Sequence, residues 1–279
     1  MIISETISEI RLRLAQFSGR KIAFVPTMGA LHDGHLALVK KACELAEIVV
    51  VSIFVNKAQF NDLSDYEKYP RQFEQDLERL KNSGATHVFL PQDSEIFPAD
   101  FSFKLIPTKL TDCLCGSSRP GHFDGVALIV SKLFNIVKPN VAIFGEKDFQ
   151  QVAIIKKLVE DFNFDIEIIS HEIIREKSGL AMSSRNQRLS ESSKTKAAEI
   201  FKILSEVKLE VKNSPQKITE ILTKAREKLL QNGFEKIDYL EIRQEKNLEL
   251  IKNFNFTQPS RIFIAVYLDQ VRLIDNMSL

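Results

Sequence analysis

The sequence predicts an α/β protein, with a doubly wound, mostly parallel sheet followed by a smaller C-terminal α+β domain. Up to about residue 173, short apolar runs rich in β-branched residues alternate with longer runs of helical periodicity. This alternation is typical of a parallel sheet covered by helices on both faces. Beyond residues 178–179 the chain becomes charged and helical before it ends in strand-like runs. We therefore predict two domains, over residues 1–173 and 174–279.

The helices are predicted from apolar residues at helical spacing. Ile3, Ile7, Ile10 and Leu14 have this spacing, and they predict an amphipathic first helix. Further helices are predicted over 36–47, 66–84, 125–139, 150–164 and 191–232, the last with a break near 213–215.

The strands are predicted from apolar runs bounded by turn residues. These runs occupy 21–25, 48–55, 86–91, 140–145, 165–174, 237–243 and 261–268. Pro26 is expected to stop the first strand. The second run is apolar without interruption, which suits a strand buried on both faces.

Three polar segments follow predicted strand ends, at residues 26–35, 56–60 and 145–151. Sites in doubly wound sheets lie at the carboxyl ends of strands, where the strand order reverses. We therefore expect these three segments to face one crevice.

Composition restricts the class of protein. The formal net charge is +1, so no overall field favours nucleic acid or a membrane surface. The three cysteines are too few and odd in number for a disulfide framework, which fits a reducing compartment. No apolar run approaches the length of a membrane span. We expect a cytoplasmic protein without nucleic-acid or membrane partners.

The segment 26–35 contains two histidines, His32 and His35, at a strand-to-helix turn. A helix N-terminus attracts phosphate, Gly29 and Gly34 allow close approach of the backbone, and imidazoles can donate to phosphate oxygens. Solvated or capping histidines are an equally open alternative at this point. A zinc site is a weaker one, since two histidines lack the further ligands of a tetrahedral site.

Four other segments carry groups suited to binding. Their shared feature is a cluster of polar side chains in a loop, and they are Asn56 with Gln59 and Phe60, Arg119–Gly125, Gly145–Gln151 and Met182–Arg185. We expect the Arg119–Gly125 segment to be a mobile loop that could close over a site. Each could instead be an ordinary solvated loop, turn or cap. Cys113 and Cys115 with His122 again offer too few ligands for zinc.

Taken together and in this order, the segments resemble the pantothenate synthetase family. The matching stretches are PTMGALHDGHLALVKKA, SIFVNKAQF, YEKYPRQFEQDLERL, RPGHFDGVALIVSKLFNIVKPNVAIFGEKDFQQ and GLAMSSRNQRLS. The resemblance covers nearly the whole chain and is densest over 21–190. His32-x-x-His35 is similar to the HxGH signature of Rossmann-like nucleotidyltransferases, and Met182–Arg185 resembles their second signature loop.

The resemblance implies a two-step reaction. The carboxylate of (R)-pantoate attacks the α-phosphorus of ATP to give pantoyl adenylate and pyrophosphate, and β-alanine then attacks the activated carbonyl to give pantothenate and AMP. It also implies Mg²⁺ on the ATP phosphates, with no metal ligand from the protein, and a homodimer. Such chemistry needs positioning and charge neutralisation rather than a protein nucleophile.

The resemblance further implies roles for individual residues. ATP is expected to contact Met28, Gly29, Ala30, Leu31, His32, Asp33, Gly34, His35, Gly145, Glu146, Lys147, Asp148, Ile174, Met182, Ser183, Ser184 and Arg185. The catalytic groups among these are expected to be His32, His35, Lys147 and Arg185, with His35 as the proton donor. Pantoate is expected to bind Gln59, Gln151 and Asn56, with Gln59 also close to β-alanine.

One departure from the family pattern lies in the second polar segment. The family usually has a proline-containing pair after Asn56, whereas this chain has Lys57-Ala58. The missing proline frees one φ angle and could loosen the Gln59 turn.

Two rival functions remain: a different nucleotidyltransferase of the same superfamily, and a regulatory nucleotide-binding module without catalysis. The two glutamines argue against the first, and the retained His35, Lys147 and Arg185 argue against the second.

Overall fold

The computed structural model describes residues 1–252 and 257–279 of the chain. Its first part contains a six-stranded parallel sheet in the order β1-β4-β3-β2-β5-β6. The strands are β1 Ile2–Ser4, β2 Ile22–Thr27, β3 Ile48–Ile53, β4 His87–Phe89, β5 Val141–Gly145 and β6 Glu167–His171. β2 pairs with β3 on one side and with β5 on the other, in parallel in both cases. The order of the strands along the chain therefore reverses beside β2, which is where such sheets hold ligands.

Helices cover both faces of this sheet. The helices of this part of the chain are α1 Ile7–Ala15, α2 Asp33–Leu45, α3 Leu63–Glu67, α4 Phe73–Lys81, α5 Asp93–Ile96, α6 Leu114–Ser118, α7 His122–Val137 and α8 Phe149–Asp161. Side chains alternate between the faces: Phe24 packs in one core with Phe134 of α7, and Val25 packs in the other with Val39 of α2. Continuously apolar strands are required for this, because both faces are buried.

The second part of the chain has helices packed on an antiparallel sheet. Its elements are α9 Glu191–Ala197, α10 Glu199–Asn213, α11 Ile218–Gln231, β7 Lys236–Gln244, β8 Ser260–Leu268 and β9 Val271–Ser278, with the strands in the order β7-β8-β9. Asp269 and Gln270 join β8 to β9, and both have positive φ angles (50° and 59°), as in the turns that suit a two-residue hairpin. Ile203 and Leu204 of α10 pack in one core with Ile262 and Ile264 of β8.

The predicted fold class is confirmed, with several local differences. Ile3 lies in β1 rather than in the first helix, which begins at Ile7. β2 continues through Pro26 to Thr27, because the φ angle of proline is compatible with an extended chain and only its N–H is lost. The predicted helix 66–84 is divided into α3 and α4, with Pro70 between them.

Strand β9 was not predicted from the sequence. Asp275 and Asn276 interrupt its apolar pattern, yet both side chains are buried in the structure. The domain boundary between residues 173 and 174 stays a proposal; Tyr239 and Phe263 of the small sheet pack into the same core as Phe24 of the large one. In the described part of the chain, no helix combines the length and apolar character needed to cross a bilayer.

Candidate active site

A crevice of about 230 Å³ lies at the carboxyl ends of β3, β2 and β5. The turns after these strands contribute Gln59, His35 and Lys147, respectively, to its lining. The expectation that the three polar segments share one crevice is therefore confirmed.

The turn after β2 is shaped by a buried carboxylate. Gly29 and Ala30 both have left-handed backbone conformations, with φ angles of 78° and 49°. The N–H groups of Ala30 and Leu31 donate to the two oxygens of Asp76 on α4, at 2.9 and 2.7 Å. Asp76 is fully buried, and a Cβ atom on Gly29 would lie only 2.9 Å from Asp76 Oδ2. Burial raises the pKa of Asp76, and the two N–H donors oppose that rise.

His32 and His35 lie against each other, with ring centroids 4.1 Å apart. The His32 backbone N–H donates to His35 Nδ1 at 3.3 Å, so the neutral His35 ring carries its proton on Nε2. Burial, and then the charge of Lys147, lower the pKa of His32 to about 4. Burial and the neighbouring His32 place the pKa of His35 well below its usual range. Both rings are therefore neutral at pH 7, and a neutral imidazole has one N–H with which it can donate to an anion.

The turn after β3 is a 3-10 turn over Lys57–Gln59. The buried Asn56 amide donates to Gln59 Oε1 at 3.1 Å and to the Gly125 carbonyl at 3.0 Å. Gln59 Nε2 lies 2.8 Å from Met28 Sδ, which ties this turn to the one after β2. A Cβ atom on Gly125 would lie 2.6 Å from the Gln59 nitrogen. The turn thus packs directly on the backbone of α7, and glycine is required there.

Arg119 and His122 hold the Gln59 backbone from the other side. The Gln59 carbonyl accepts from His122 Nδ1 at 2.7 Å and from Arg119 Nη2 at 3.1 Å. Arg119 Nη1 lies 3.1 Å from His122 Nε2, which therefore acts as the acceptor. Burial and the adjacent guanidinium lower the pKa of His122 to about 3, which keeps the ring neutral.

The prediction of a mobile loop over Arg119–Gly125 is wrong. α7 begins at His122, and the side chains of His122 and Phe123 are buried. Phe123 belongs to the core on that face of the sheet, so this segment cannot close over the site as a free loop.

The turn after β5 is held by the small sheet. Asn276 of β9 donates to the carbonyls of Glu146 and Lys147 at 2.8 and 3.0 Å. The Glu146 carboxylate accepts from Ser170 Oγ at 3.0 Å and from Arg261 at 3.2 Å, so each of its oxygens already has a protein donor. The Lys147 ammonium lies 3.9 Å from Asp148 Oδ2, beyond hydrogen-bond distance, so it retains donors for an anion.

The turn over Met182–Arg185 closes the crevice from the second part of the chain. The Met182 N–H donates to the Ile174 carbonyl at 3.0 Å, so the Ile174 carbonyl is already used. Ser184 Oγ lies 3.2 Å from the hydroxyl of the buried Tyr69.

Arg185 is oriented by a carboxylate from α3. Its Nη2 donates to one oxygen of Asp65 at 2.8 Å, and Arg188 donates to the other oxygen at 2.8 Å. Burial alone would raise the pKa of Asp65, but the two guanidinium groups outweigh it and the pKa is lowered. For Arg185, burial is likewise outweighed by Asp65, and the pKa is raised.

A second cavity of about 410 Å³ adjoins the crevice. The lining residues that the two share are Arg119, His122, Lys147, Asp148, Gln151, Ser183 and Arg185. The far wall of the second cavity comes from the small antiparallel sheet.

Most of the predicted site residues line the crevice. They are Met28, His32, Gly34, His35, Asn56, Gln59, Gly145, Lys147, Asp148, Gln151, Ile174, Met182, Ser183, Ser184 and Arg185. The remaining predicted residues are not part of that lining, and they are Gly29, Ala30, Leu31, Asp33 and Glu146. Asp33 instead lies 3.4 Å from Arg79. The ligand contacts predicted for all these residues stay predictions.

Sequence reasoning assigned no role to several residues that support the crevice. These are Asp65, Tyr69, Asp76, Arg119 and His122. Two of them stood in a segment that was singled out for its composition, but their contacts with Gln59 span about 60 residues of chain. Asp65 and Arg185 are 120 residues apart, so no local pattern could have joined them.

Comparison with known proteins gives one consistent result. The sequence profile of the family described as pantoate-beta-alanine ligase matches residues 2–278. A pantothenate synthetase from Caldicellulosiruptor bescii is 41% identical over 279 residues, covering 99% of this chain and 98% of the relative. The crystal structure of pantothenate synthetase from Thermus thermophilus is similar with a TM-score of 0.92, at 37% identity and 99% coverage of both chains.

A further similar structure was solved with ligands bound. It is the pantoate-beta-alanine ligase from Francisella tularensis complexed with beta-gamma ATP and beta-alanine. Its TM-score is 0.84 at 38% identity, and the match covers 99% of this chain and 97% of that one.

Proposed function

The chain belongs to the pantoate–β-alanine ligase family, an enzyme family that joins pantoate to β-alanine with ATP, and we propose that it performs this reaction in the crevice described above. The main support for the proposal is that His35, Gln59 and Lys147 line one crevice at the ends of the adjacent strands β2, β3 and β5, together with Arg185. Hydrogen-bond donors for phosphate and amides for a hydroxy acid thus surround one cavity.

The reaction has two steps. A pantoate carboxylate oxygen attacks the α-phosphorus of ATP, the bond to the bridging oxygen breaks, and pyrophosphate leaves. The β-alanine amine then attacks the acyl carbon of pantoyl adenylate, loses a proton, and expels AMP. Neither step needs a covalent bond to the protein, so catalysis depends on positioning and on stabilising the developing charge.

We propose that the phosphates are bound from both parts of the chain. Lys147 supplies an ammonium, Arg185 a guanidinium, and the hydroxyls of Ser183 and Ser184 further donors. The neutral His35 ring donates its Nε2–H to a phosphate oxygen, and His32 supports it. This tautomer follows from the hydrogen bond that His35 Nδ1 accepts. His35 thus acts in this proposal as a hydrogen-bond donor, and the role of proton donor that the family resemblance implies for it stays a prediction.

The pantoate site is proposed at the amide side chains. Gln59 and Gln151 both line the crevice and offer a donor and an acceptor each, which suits a ligand with hydroxyl and carboxylate groups. The Asn56 amide donates to Gln59 and to the backbone of α7. We propose that Asn56 contributes to pantoate binding by fixing the orientation of Gln59.

Mg²⁺ is proposed to accompany ATP. Within residues 1–252 and 257–279, no cluster of three or more histidine, cysteine, aspartate or glutamate side chains could hold a metal ion. This fits an ion that is carried by phosphate oxygens and water, as is usual for Mg²⁺ with nucleotides. When bound, the ion would neutralise phosphate charge, while Lys147 and Arg185 orient the same phosphates.

Three further proposals concern the protein as a whole. We propose a cytoplasmic enzyme, a homodimer formed through the N-terminal domain, and a domain boundary between residues 173 and 174. Sedimentation of the purified protein would test the dimer, and expression of residues 1–173 alone would test the boundary.

The function is tested by omitting one substrate at a time. Exchange of labelled pyrophosphate into ATP should require pantoate but not β-alanine, and net AMP formation should require both. Exchange without pantoate would instead indicate another nucleotidyltransferase. ATP binding without exchange or AMP formation would indicate a non-catalytic binding module.

A further inference from the structure

Arg119 lies at the boundary between the two cavities, and its guanidinium has no carboxylate partner among residues 1–252 and 257–279. It lines both the crevice and the adjoining cavity of about 410 Å³. Among the described residues, no aspartate or glutamate oxygen lies within ion-pair distance of it. Burial and the nearby Arg185 lower its pKa, as expected for a cation that lacks compensation.

The other cations of the second cavity have a carboxylate partner or lie in solvent. Lys147 lies 3.9 Å from Asp148 Oδ2, and its remaining donors are assigned to phosphate in the proposed function. Arg185 and Arg188 both pair with Asp65, and Arg272 pairs with Asp238 at 2.8 Å. Lys68 has an exposed side chain, so water can solvate its charge. Arg119 differs from these cations because it is partly buried and, within the described part of the chain, its hydrogen-bond acceptors are neutral.

The neutral acceptors fix the guanidinium and leave donors free. Nη2 donates to the Gln59 carbonyl at 3.1 Å, and Nη1 donates to His122 Nε2 at 3.1 Å. A guanidinium has five N–H bonds, so three remain. Two parallel N–H bonds are what a guanidinium uses to bind a carboxylate.

The proposed reaction leaves one carboxylate without a protein cation. The pantoate carboxylate is consumed when the adenylate forms, and Lys147 and Arg185 are assigned to phosphates. The β-alanine carboxylate stays anionic throughout, two methylene groups away from the amine that attacks. This amine is expected near Gln59, whose backbone carbonyl contacts Arg119.

We propose that Arg119 binds the carboxylate of β-alanine and that the adjoining cavity is the route by which this amino acid reaches the adenylate. The proposal rests on the proposed function. Arg119 thereby selects an amine that carries an anionic group over one that does not, and it points the amine toward Gln59. His122 acts as a positioning residue, because its tautomer gives Arg119 an acceptor rather than a competing donor.

The test compares β-alanine with its neutral amide, which has nearly the same shape but no carboxylate. The measured quantity is the ratio of kcat/KM for β-alanine to kcat/KM for β-alanine amide, from AMP formation at saturating ATP and pantoate. In Arg119→Gln we expect the ratio to fall about 10- to 100-fold, the range expected for loss of a charged hydrogen-bond partner. Arg119→Lys keeps the charge without the paired donors, so its ratio should fall by less.

A matched control removes another positive charge from the same cavity. Lys68→Gln should keep the wild-type ratio, because the Lys68 side chain is exposed. Pantoate-dependent pyrophosphate exchange, measured without β-alanine, should have a pantoate KM in Arg119→Gln within about twofold of wild type. Circular dichroism melting verifies that each variant is folded. If Arg119→Gln does not fold, the kcat/KM ratio of Arg119→Lys is compared with wild type instead.

Three outcomes have distinct meanings. An unchanged ratio with intact exchange would overturn the proposal. A pantoate KM that rises as much as the β-alanine KM would also overturn it, since Arg119 would then act only by holding Gln59. Absence of pantoate-dependent exchange in the wild type would refute the proposed function itself.

Discussion

Replacing Asp76 with asparagine tests how the turn after β2 is built. The side chain keeps its size, but one carboxylate oxygen becomes an NH₂ group facing a backbone N–H. One of the two hydrogen bonds, at 2.7 and 2.9 Å, is therefore lost, and the other loses its charge. Hydrogen bonds to charged groups contribute about 1.5–3 kcal/mol each, and an unpaired buried donor costs about 1–3 kcal/mol.

These losses are partly offset. Burial raises the pKa of Asp76, so removing the charge relieves some unfavourable desolvation. We expect a net loss of about 2–3 kcal/mol in the free energy of unfolding. In a protein of this size about 1 kcal/mol corresponds to a Tm change of roughly 2–4 °C, so Tm should fall by about 5–10 °C.

The same change should weaken the proposed ATP site. Asp76 holds the N–H groups of Ala30 and Leu31, which directly precede His32 and His35. A shift of about 1 Å in catalytic groups can cost on the order of 100-fold in rate. The assays are thermal melting and pyrophosphate exchange at varied ATP. Glu74→Gln on the same helix is the control, because the Glu74 side chain is exposed. A variant of Asp76 with wild-type Tm and wild-type exchange kinetics would refute this account of the turn.

Four further predictions concern other parts of the crevice. His35→Ala should lower turnover about 100-fold or more with little change in Tm, because it removes a charge-stabilising donor; near-normal turnover would exclude its role. Gly125→Ala should raise the pantoate KM, since the new Cβ atom would lie 2.6 Å from the Gln59 nitrogen, and unchanged pantoate kinetics would contradict the close packing. Lys57→Pro should lower the pantoate KM modestly and raise the free energy of unfolding by about 0.4–1 kcal/mol. Position 57 is the first residue of a 3-10 turn, and Asn56 has the extended backbone that suits a residue before proline. A higher pantoate KM would contradict this prediction. Asp65→Asn should be less stable than wild type at pH 7, because the pairs with the two guanidinium groups need the ionised form of Asp65. The difference in stability should shrink as pH falls from about 5 through the lowered pKa of Asp65. A difference independent of pH would contradict the ion pairs.

The sheet and the position of the crevice could be predicted from sequence because their signals are local. β2, β3 and β5 are apolar runs followed at once by polar residues, and parallel strands with helical connections have few possible arrangements. β1 was absorbed into the first helix, because three residues are too few to show a period of two. β9 was hidden by Asp275 and Asn276, polar residues buried by their contacts with the rest of the protein.

The contacts that fix the crevice could not be predicted in the same way. Asp76 meets Ala30 across 46 residues of chain, and Arg185 meets Asp65 across 120. The identity of a charged residue does not reveal its partner until the fold brings the two together. The same holds for Arg119, whose significance lies in having no carboxylate within ion-pair distance in the described part of the chain.

The hydrogen bonds from Asn276 to Glu146 and Lys147 impose an order on assembly during translation. A nascent chain can in principle build the six parallel strands from residues 2–171 while the ribosome is still adding later segments. The turn that presents Lys147 acquires its support only after residue 276 has left the exit tunnel and β9 has docked. The crevice is therefore completed later than the parallel sheet beneath it, whose strands all lie within residues 2–171.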